Sequence, residues 1–264
     1  MNNEDLLRFN RHLLLPEIDI KGQELWFETH LVIVGCGGLG SVLALYATAA
    51  GIGKLTLIDH DQIELSNLQR QIAYNEKDIG QLKVDILKRE CMARNASIKI
   101  NTINAFATPK LLEAVIEKEN LKYESNSLNK NNIMWMVDCS DNFDTRYMLN
   151  DFCIDYKLPL ISGAATAMHG QVILLFPGQR EKACYRCIFP IEKEEHPIAT
   201  SCHEAGVFSP LVGVIACFQL AQLLKTIINP DNYQAYLWRV HAWQAEWNKS
   251  TVHYDKTCLC QHNN

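Results

Sequence analysis

One junction constrains the fold more than any other feature of the chain. The β-branched run Leu31-Val-Ile-Val34 stops at Gly35-Cys-Gly37-Gly38-Leu-Gly40, and the residues from Leu39 to Ala50 then take up helical spacing. A strand that runs through G-x-G-x-x-G directly into a helix is the opening of a nucleotide-binding βαβ unit. The glycines permit a tight turn and close backbone approach, and the first turn of the helix offers amide hydrogens to phosphate oxygens. Asp59 closes the next apolar run, Leu55–Ile58, where such units place a carboxylate toward ribose hydroxyls.

The pattern continues. Further strands are expected at Ile98–Ile103, Ile133–Val137 and Leu158–Ile161, alternating with helical spacing at Gln81–Arg94, Pro109–Glu117 and Phe143–Tyr156. That alternation implies a parallel sheet covered by helices on both faces. The polar, Asn-rich segment from Glu119 to Asn132 reads as a surface loop. Beyond Gly163 the grammar changes: Gly170–Phe176 alternates like an antiparallel strand, Pro210–Ile228 is a long apolar helix, and strands follow at Ala235–Val240 and Ala245–Tyr254. The expected class is α/β, a Rossmann-like nucleotide-binding half continuing into a mixed sheet within a single domain.

Composition excludes other classes. With 25 basic and 30 acidic residues in 264, the net charge of -5 gives no general field for nucleic acid. No uninterrupted apolar run approaches the ~20 residues of a membrane span, the richest being Leu211–Phe218. The charged start of the chain is unlike a signal peptide, so a cytoplasmic location is expected. Of the ten cysteines, Cys36, Cys91, Cys139, Cys153 and Cys217 sit in apolar surroundings and read as buried hydrophobes. Cys184/Cys187 and Cys258/Cys260 form two close pairs among polar residues, a pattern that in a reducing compartment points to metal.

The glycine pattern alone would suit a nicotinamide dehydrogenase. Asp59-His-Asp61, however, leads into Leu65-Ser-Asn67-Leu-Gln69-Arg70-Gln71, and Gly80-Gln-Leu-Lys83 opens the next helix. Arg70 and Lys83 are thereby brought to the end of the sheet that holds the glycine loop. Hydride transfer has no developing phosphate charge for them to stabilise, whereas nucleotidyl transfer does. The competing reading makes both solvated surface charges, although a lysine at a helix start opposes the helix dipole. Asp141, in Asp138-Cys-Ser-Asp141-Asn142, precedes a helix and on its own reads as that helix's N-cap.

In these residues the chain resembles the MoeB/ThiF adenylyltransferases, prokaryotic relatives of the ubiquitin-activating enzymes. The likeness extends through Arg8-Phe-Asn-Arg11, Ser162-Gly-Ala-Ala, Cys184-Tyr-Arg-Cys187 and Cys202-His-Glu-Ala-Gly206, nearly the whole chain. It implies one ThiF/MoeB-type domain over residues 1–264: an N-terminal helical segment (1–30), a nucleotide-binding half (31–165) and a carrier-binding half with a zinc site (166–264). The implied activity is ATP- and magnesium-dependent adenylation of the C-terminal glycine of a small ubiquitin-fold sulfur carrier, MoaD-like or ThiS-like. By position Gly35, Gly37, Gly38 and Gly40 would cradle phosphate. Asp59 would hold the ribose, Asn67, Arg70 and Lys83 the triphosphate, and Asp141 the magnesium, with Asp61 also among the nucleotide-binding residues.

The resemblance also implies a homodimer in which Arg11 reaches the partner's nucleotide, the alternative being an exposed helix arginine. It implies zinc on Cys184, Cys187, Cys258 and Cys260. Here the chain departs from its family, having Cys258-Leu-Cys260 where the family has Cys-x-x-Cys, so that His262 is an alternative fourth ligand. Cys202, beside His203, is either a nucleophile toward the carrier adenylate, as in the thiamine branch, or a spectator thiol. The run Ser162–Gln171 leans toward the molybdopterin branch and the longer Pro190–Cys202 loop toward the thiamine branch. A dehydrogenase and a catalytically silent nucleotide-binding scaffold are the rival functions.

Overall fold

The computed structural model describes residues 1–119, 134–177, 182–190, 206–230 and 234–258. Eight strands form one sheet: β1 (His30–Val34), β2 (Lys54–Asp59), β3 (Lys99–Asn104), β4 (Met134–Asp138), β5 (Leu160–Thr166), β6 (His169–Leu175), β7 (Tyr236–His241) and β8 (Glu246–Thr251). Their order is β3-β2-β1-β4-β5-β6-β7-β8. β3 through β5 are parallel, and every pairing from β5 to β8 is antiparallel. β1 pairs with β2 on one side and β4 on the other, so the strand order reverses there and the crevice at the strands' C-terminal ends is the expected ligand position. The mixed sheet anticipated from sequence is thus present. The segment Glu119–Asn132 lies largely outside the described residues.

The helices are α1 (Asn3–Arg8), α2 (Asn10–Leu13), α3 (Asp19–Glu28), α4 (Gly38–Ala50), α5 (Lys83–Arg94), α6 (Pro109–Lys118), α7 (Phe143–Asp155), α8 (Tyr185–Ile188) and α9 (Ser209–Ile228). Period-two alternation divides the strands between two cores. Leu31, Ile33, Trp135, Val137, Ile161 and Val172 face the core shared with α4, α5 and α9. Val32, Val34, Met134, Met136, Leu160 and Ile173 face the core under α6, α7 and α8. Burying a side chain such as Leu31 or Trp135 contributes roughly 2–3 kcal/mol, so both faces are needed to hold the sheet.

Two expectations change. α9 is long and apolar enough to cross a membrane by length and composition, but half of its most apolar stretch is buried. It serves as a core helix, with Leu211, Val212, Ile215, Ala216, Leu220 and Leu223 in the first core. Cys36, Cys91, Cys139 and Cys153 are buried as anticipated, and burial pushes the Cys36, Cys139 and Cys153 thiols well up. Cys217 is exposed, because the face of α9 that carries Ile215 and Gln219 points inward and residue 217 falls on the opposite side.

Candidate nucleotide site

A cleft of about 310 Å³ opens at the C-terminal ends of β1, β2 and β4. Its floor is the turn after β1. Gly35 has φ of +93°, and a Cβ there would stand 2.7 Å from the Cys139 carbonyl oxygen, so only glycine fits. A Cβ on Gly38 would stand 2.6 Å from Val212 Cγ1. Gly37 is the N-cap of α4 and supplies no side-chain cap, which leaves first-turn amides open to a ligand. Two long-range bonds pin this turn: the Asp59 carboxylate accepts from Cys36 N at 2.6 Å, and the Tyr74 hydroxyl donates to the Cys36 carbonyl at 2.6 Å.

Gly35, Gly37, Gly38, Asp59, Asp61, Asn67, Arg70, Lys83 and Asp141 all line the cleft. Gly40 is buried behind it against the Gly35 carbonyl. Lys83 is buried at the first position of α5, and its Nζ donates to Asp61 Oδ2 at 2.6 Å. That ion pair explains how a lysine is tolerated at a helix N-terminus. Arg70 is tethered to the Ser66 carbonyl at 3.1 Å, and the adjoining Gln69 accepts from the Ser209 hydroxyl at the start of α9. Asn67 closes its own turn, its Oδ1 accepting from Glu64 N at 3.3 Å.

The N-cap of α7 is Asn142, whose side chain accepts from Thr145 N at 2.9 Å. The capping alternative for Asp141 is therefore taken by its neighbour. Asp141 is left on the cleft wall, with the Asn142 side-chain amide 3.4 Å from Oδ1. Asp59, His60 and Asp61 bring ligand atoms within 4.8 Å of one another on the opposite wall. A divalent cation brought in with a triphosphate would find oxygen donors at both places.

Sequence reasoning passed over three residues. Arg146 lines the cleft at 7% exposure, donating to the Ser140 carbonyl at 3.0 Å and facing Asp138 at 3.8 Å. Gln71 is buried in the cleft wall with its side-chain carbonyl unpaired among the described residues. Phe106 is 67% exposed and stacks on His60 with ring centroids 3.5 Å apart. A signal existed for Arg146: it stands four residues after a cap residue, on the turn that side chains cover by leaning back toward the helix start.

Arg11 is exposed on α2 and is not among the residues that line the cleft. The Cys184 Sγ lies 3.7 Å from Cys187 Sγ and 3.6 Å from Cys258 Sγ. Thiolates on a tetrahedral zinc with bonds of about 2.3 Å stand about 3.8 Å apart, so three ligand positions fit that ion. Cys202, Cys260 and His262 lie outside the described residues.

Residues 9–261 match the ThiF family. The chain is 37% identical over 227 residues to the molybdopterin-synthase adenylyltransferase of Escherichia coli (strain K12), across 86% of this chain and 84% of that one. It is 37% identical over 225 residues to the adenylyltransferase and sulfurtransferase MOCS3 of Danio rerio, across 85% of this chain and 45% of that longer protein. The fold is similar to the crystal structure of E. coli MccB with ATP, with a TM-score of 0.70 at 22% identity over 90% of this chain and 68% of that one.

Proposed function

The chain belongs to the ThiF family, and from that premise we propose that it is an adenylyltransferase that activates the C-terminal glycine of a ubiquitin-fold sulfur carrier for molybdopterin synthesis. The observation that carries this reading is the meeting of Lys83, Arg70 and the open N-terminus of α4 in one cleft at the strand-order reversal. The run Ser162–Gln171 and the E. coli molybdopterin-synthase relative favour a MoaD-like carrier over a ThiS-like one.

A carboxylate resists attack because it has no good leaving group. The carrier's terminal carboxylate oxygen attacks the α-phosphorus of ATP, an acyl adenylate forms, and pyrophosphate departs. Arg70 and Lys83 stabilise the negative charge that builds on the transferring phosphate, and the α4 amides and Gly38 orient it. For Lys83 this means exchanging Asp61 for a phosphate oxygen. Asp59 serves the ribose with the lone pairs that Cys36 and Asp61 amides leave free. Asp141 would hold magnesium, which supplies charge neutralisation for the departing pyrophosphate.

Zinc would be held by Cys184, Cys187 and Cys258, with Cys260 or His262 as the fourth ligand. Arg11 would act on the nucleotide of the other subunit of a homodimer. Cys202 is read as a thiol that is dispensable for adenylation. The whole is read as one domain whose 31–165 half binds nucleotide and whose 166–264 half meets the carrier.

The test is carrier-dependent ATP–pyrophosphate exchange. Arg70→Ala or Lys83→Ala should lower it by on the order of a hundredfold, with a smaller loss of ATP binding. Undiminished exchange in both variants refutes the assignment.

A further inference from the structure

Along the segment 184–189 the residues alternate between two tasks. Cys184 and Cys187 belong to the thiol cluster, while the residues around them grip α7. The Tyr185 backbone N–H donates to the Asn150 side-chain carbonyl at 2.7 Å, and its ring packs edge-on against Tyr147 at 5.5 Å. Arg186 makes a two-point contact with Asp151, at 3.0 and 2.6 Å, and lies 4.7 Å over the Tyr147 ring. The Tyr147 hydroxyl donates back to the Phe189 carbonyl at 3.0 Å. A four-residue helix such as α8 does not sustain itself. It is held by α7 on one side and by the thiols on the other.

The same turn of α7 carries Arg146, which reaches the other way into the cleft. Its guanidinium donates to the Ser140 carbonyl, immediately before Asp141. Arg146 and the Tyr185 hydroxyl are buried beside each other between the thiol cluster and the cleft.

We infer that the thiol cluster and the nucleotide cleft are energetically coupled through α7. Gathered on one metal ion, the thiols hold Tyr185 and Arg186 against α7 and so keep Arg146, a positioning residue, aimed at the Ser140–Asp141 turn. Releasing the thiols loosens that turn and weakens nucleotide binding. The inference rests on the nucleotide and zinc readings above, and the experiment separates its failure from theirs.

ATP dissociation constants are measured by calorimetry, with magnesium, on zinc-loaded protein and on reduced protein stripped by a chelator. The stripped protein should bind ATP about tenfold more weakly, a coupling of about 1.4 kcal/mol. Coupling is reciprocal, so saturating ATP should tighten zinc binding, read with a zinc-responsive dye, by the same factor. The double variant Tyr147→Phe/Arg186→Gln keeps every thiol. It should retain the zinc stoichiometry of wild type, while its loaded and stripped ATP constants converge to within about twofold.

Equal ATP constants for loaded and stripped wild type overturn the coupling while leaving the nucleotide reading intact. An undiminished ratio in the double variant overturns the route through α7. If loaded wild type binds no ATP, the nucleotide reading fails and takes the coupling with it. Should stripped protein unfold, the loaded double variant decides: ATP binding about tenfold weaker than loaded wild type upholds the inference, and wild-type binding overturns it.

Discussion

Asp61→Asn isolates what Lys83 is for. The substitution keeps the side chain's shape and leaves the backbone bond from Lys83 N to the Asp61 carbonyl at 3.1 Å untouched. It removes the negative partner 2.6 Å from a lysine whose side chain is only 6% exposed. At an effective dielectric of about 20, two unit charges about 3 Å apart attract by on the order of 5 kcal/mol. The Asp61 side chain is 47% exposed, so solvent screens more than half of that and about 2 kcal/mol of stability should be lost. For a chain of this size the melting temperature should fall by about 4–8 °C. If Lys83 faces the triphosphate, bound ATP supplies the missing charge. Scanning calorimetry with saturating magnesium-ATP should then shrink the gap to wild type below half its ligand-free size. A gap that persists in full with ATP bound, or one that never appears, refutes the assignment of Lys83 to phosphate.

Gln219 is fully buried in α9 and donates to the Asp138 and Ile161 carbonyls at 2.9 and 3.3 Å. Near-isosteric Gln219→Leu orphans both and should lower stability by about 2–4 kcal/mol, read as a lower urea midpoint. His30 is buried, and burial, with Lys54 adding to it, pushes its pKa down to about 4. The fold therefore favours the neutral ring. That stability is present above the unfolded value near 6.5 and is lost as pH falls toward 4, about 2 kcal/mol between pH 7 and 5. His30→Gln should flatten this part of the urea stability profile, and identical slopes would contradict the account. Arg11 is exposed away from its own cleft. Mixing inactive Arg11→Ala with inactive Lys83→Ala protein should restore exchange through hybrid dimers, and confirmed subunit exchange without rescue would show that Arg11 does not act in trans.

The parallel half of the fold was legible because its signals are local. Leu31–Val34, the glycine turn and Asp59 each carry their meaning within a few residues, and the spacing of Arg70 and Lys83 already placed both at one sheet end. What was not legible depends on long-range partners. Lys83 looked misplaced until Asp61 was found against it. Asp141 was ambiguous until Asn142 took the cap. Arg146 offers in sequence only its place four residues after Asn142, and the return of α7 to the end of β4 is what puts it in the cleft. Gln219 is the lone buried polar side chain on the inward face of α9 that meets a strand carbonyl, a signal that an apolar helix with one inward glutamine does offer. Cys217 was misread because composition was weighed without the helical period.

β5 pairs parallel with β4 and antiparallel with β6, in register from Leu160↔Leu175 to Thr166↔His169. Backbone hydrogen bonds thus cross without interruption from the strands that floor the cleft to those of the C-terminal half. Two-lobed enzymes close over their substrates by bending at a linker, and among the described residues there is no such hinge between β4 and β8. Opening its floor would mean unzipping a central strand. Admission of a long flexible tail must then be managed at the rim, by side chains and loops that rearrange over a rigid plate, and the speed of the catalytic cycle should respond to rim substitutions far more than to any that stiffen the sheet.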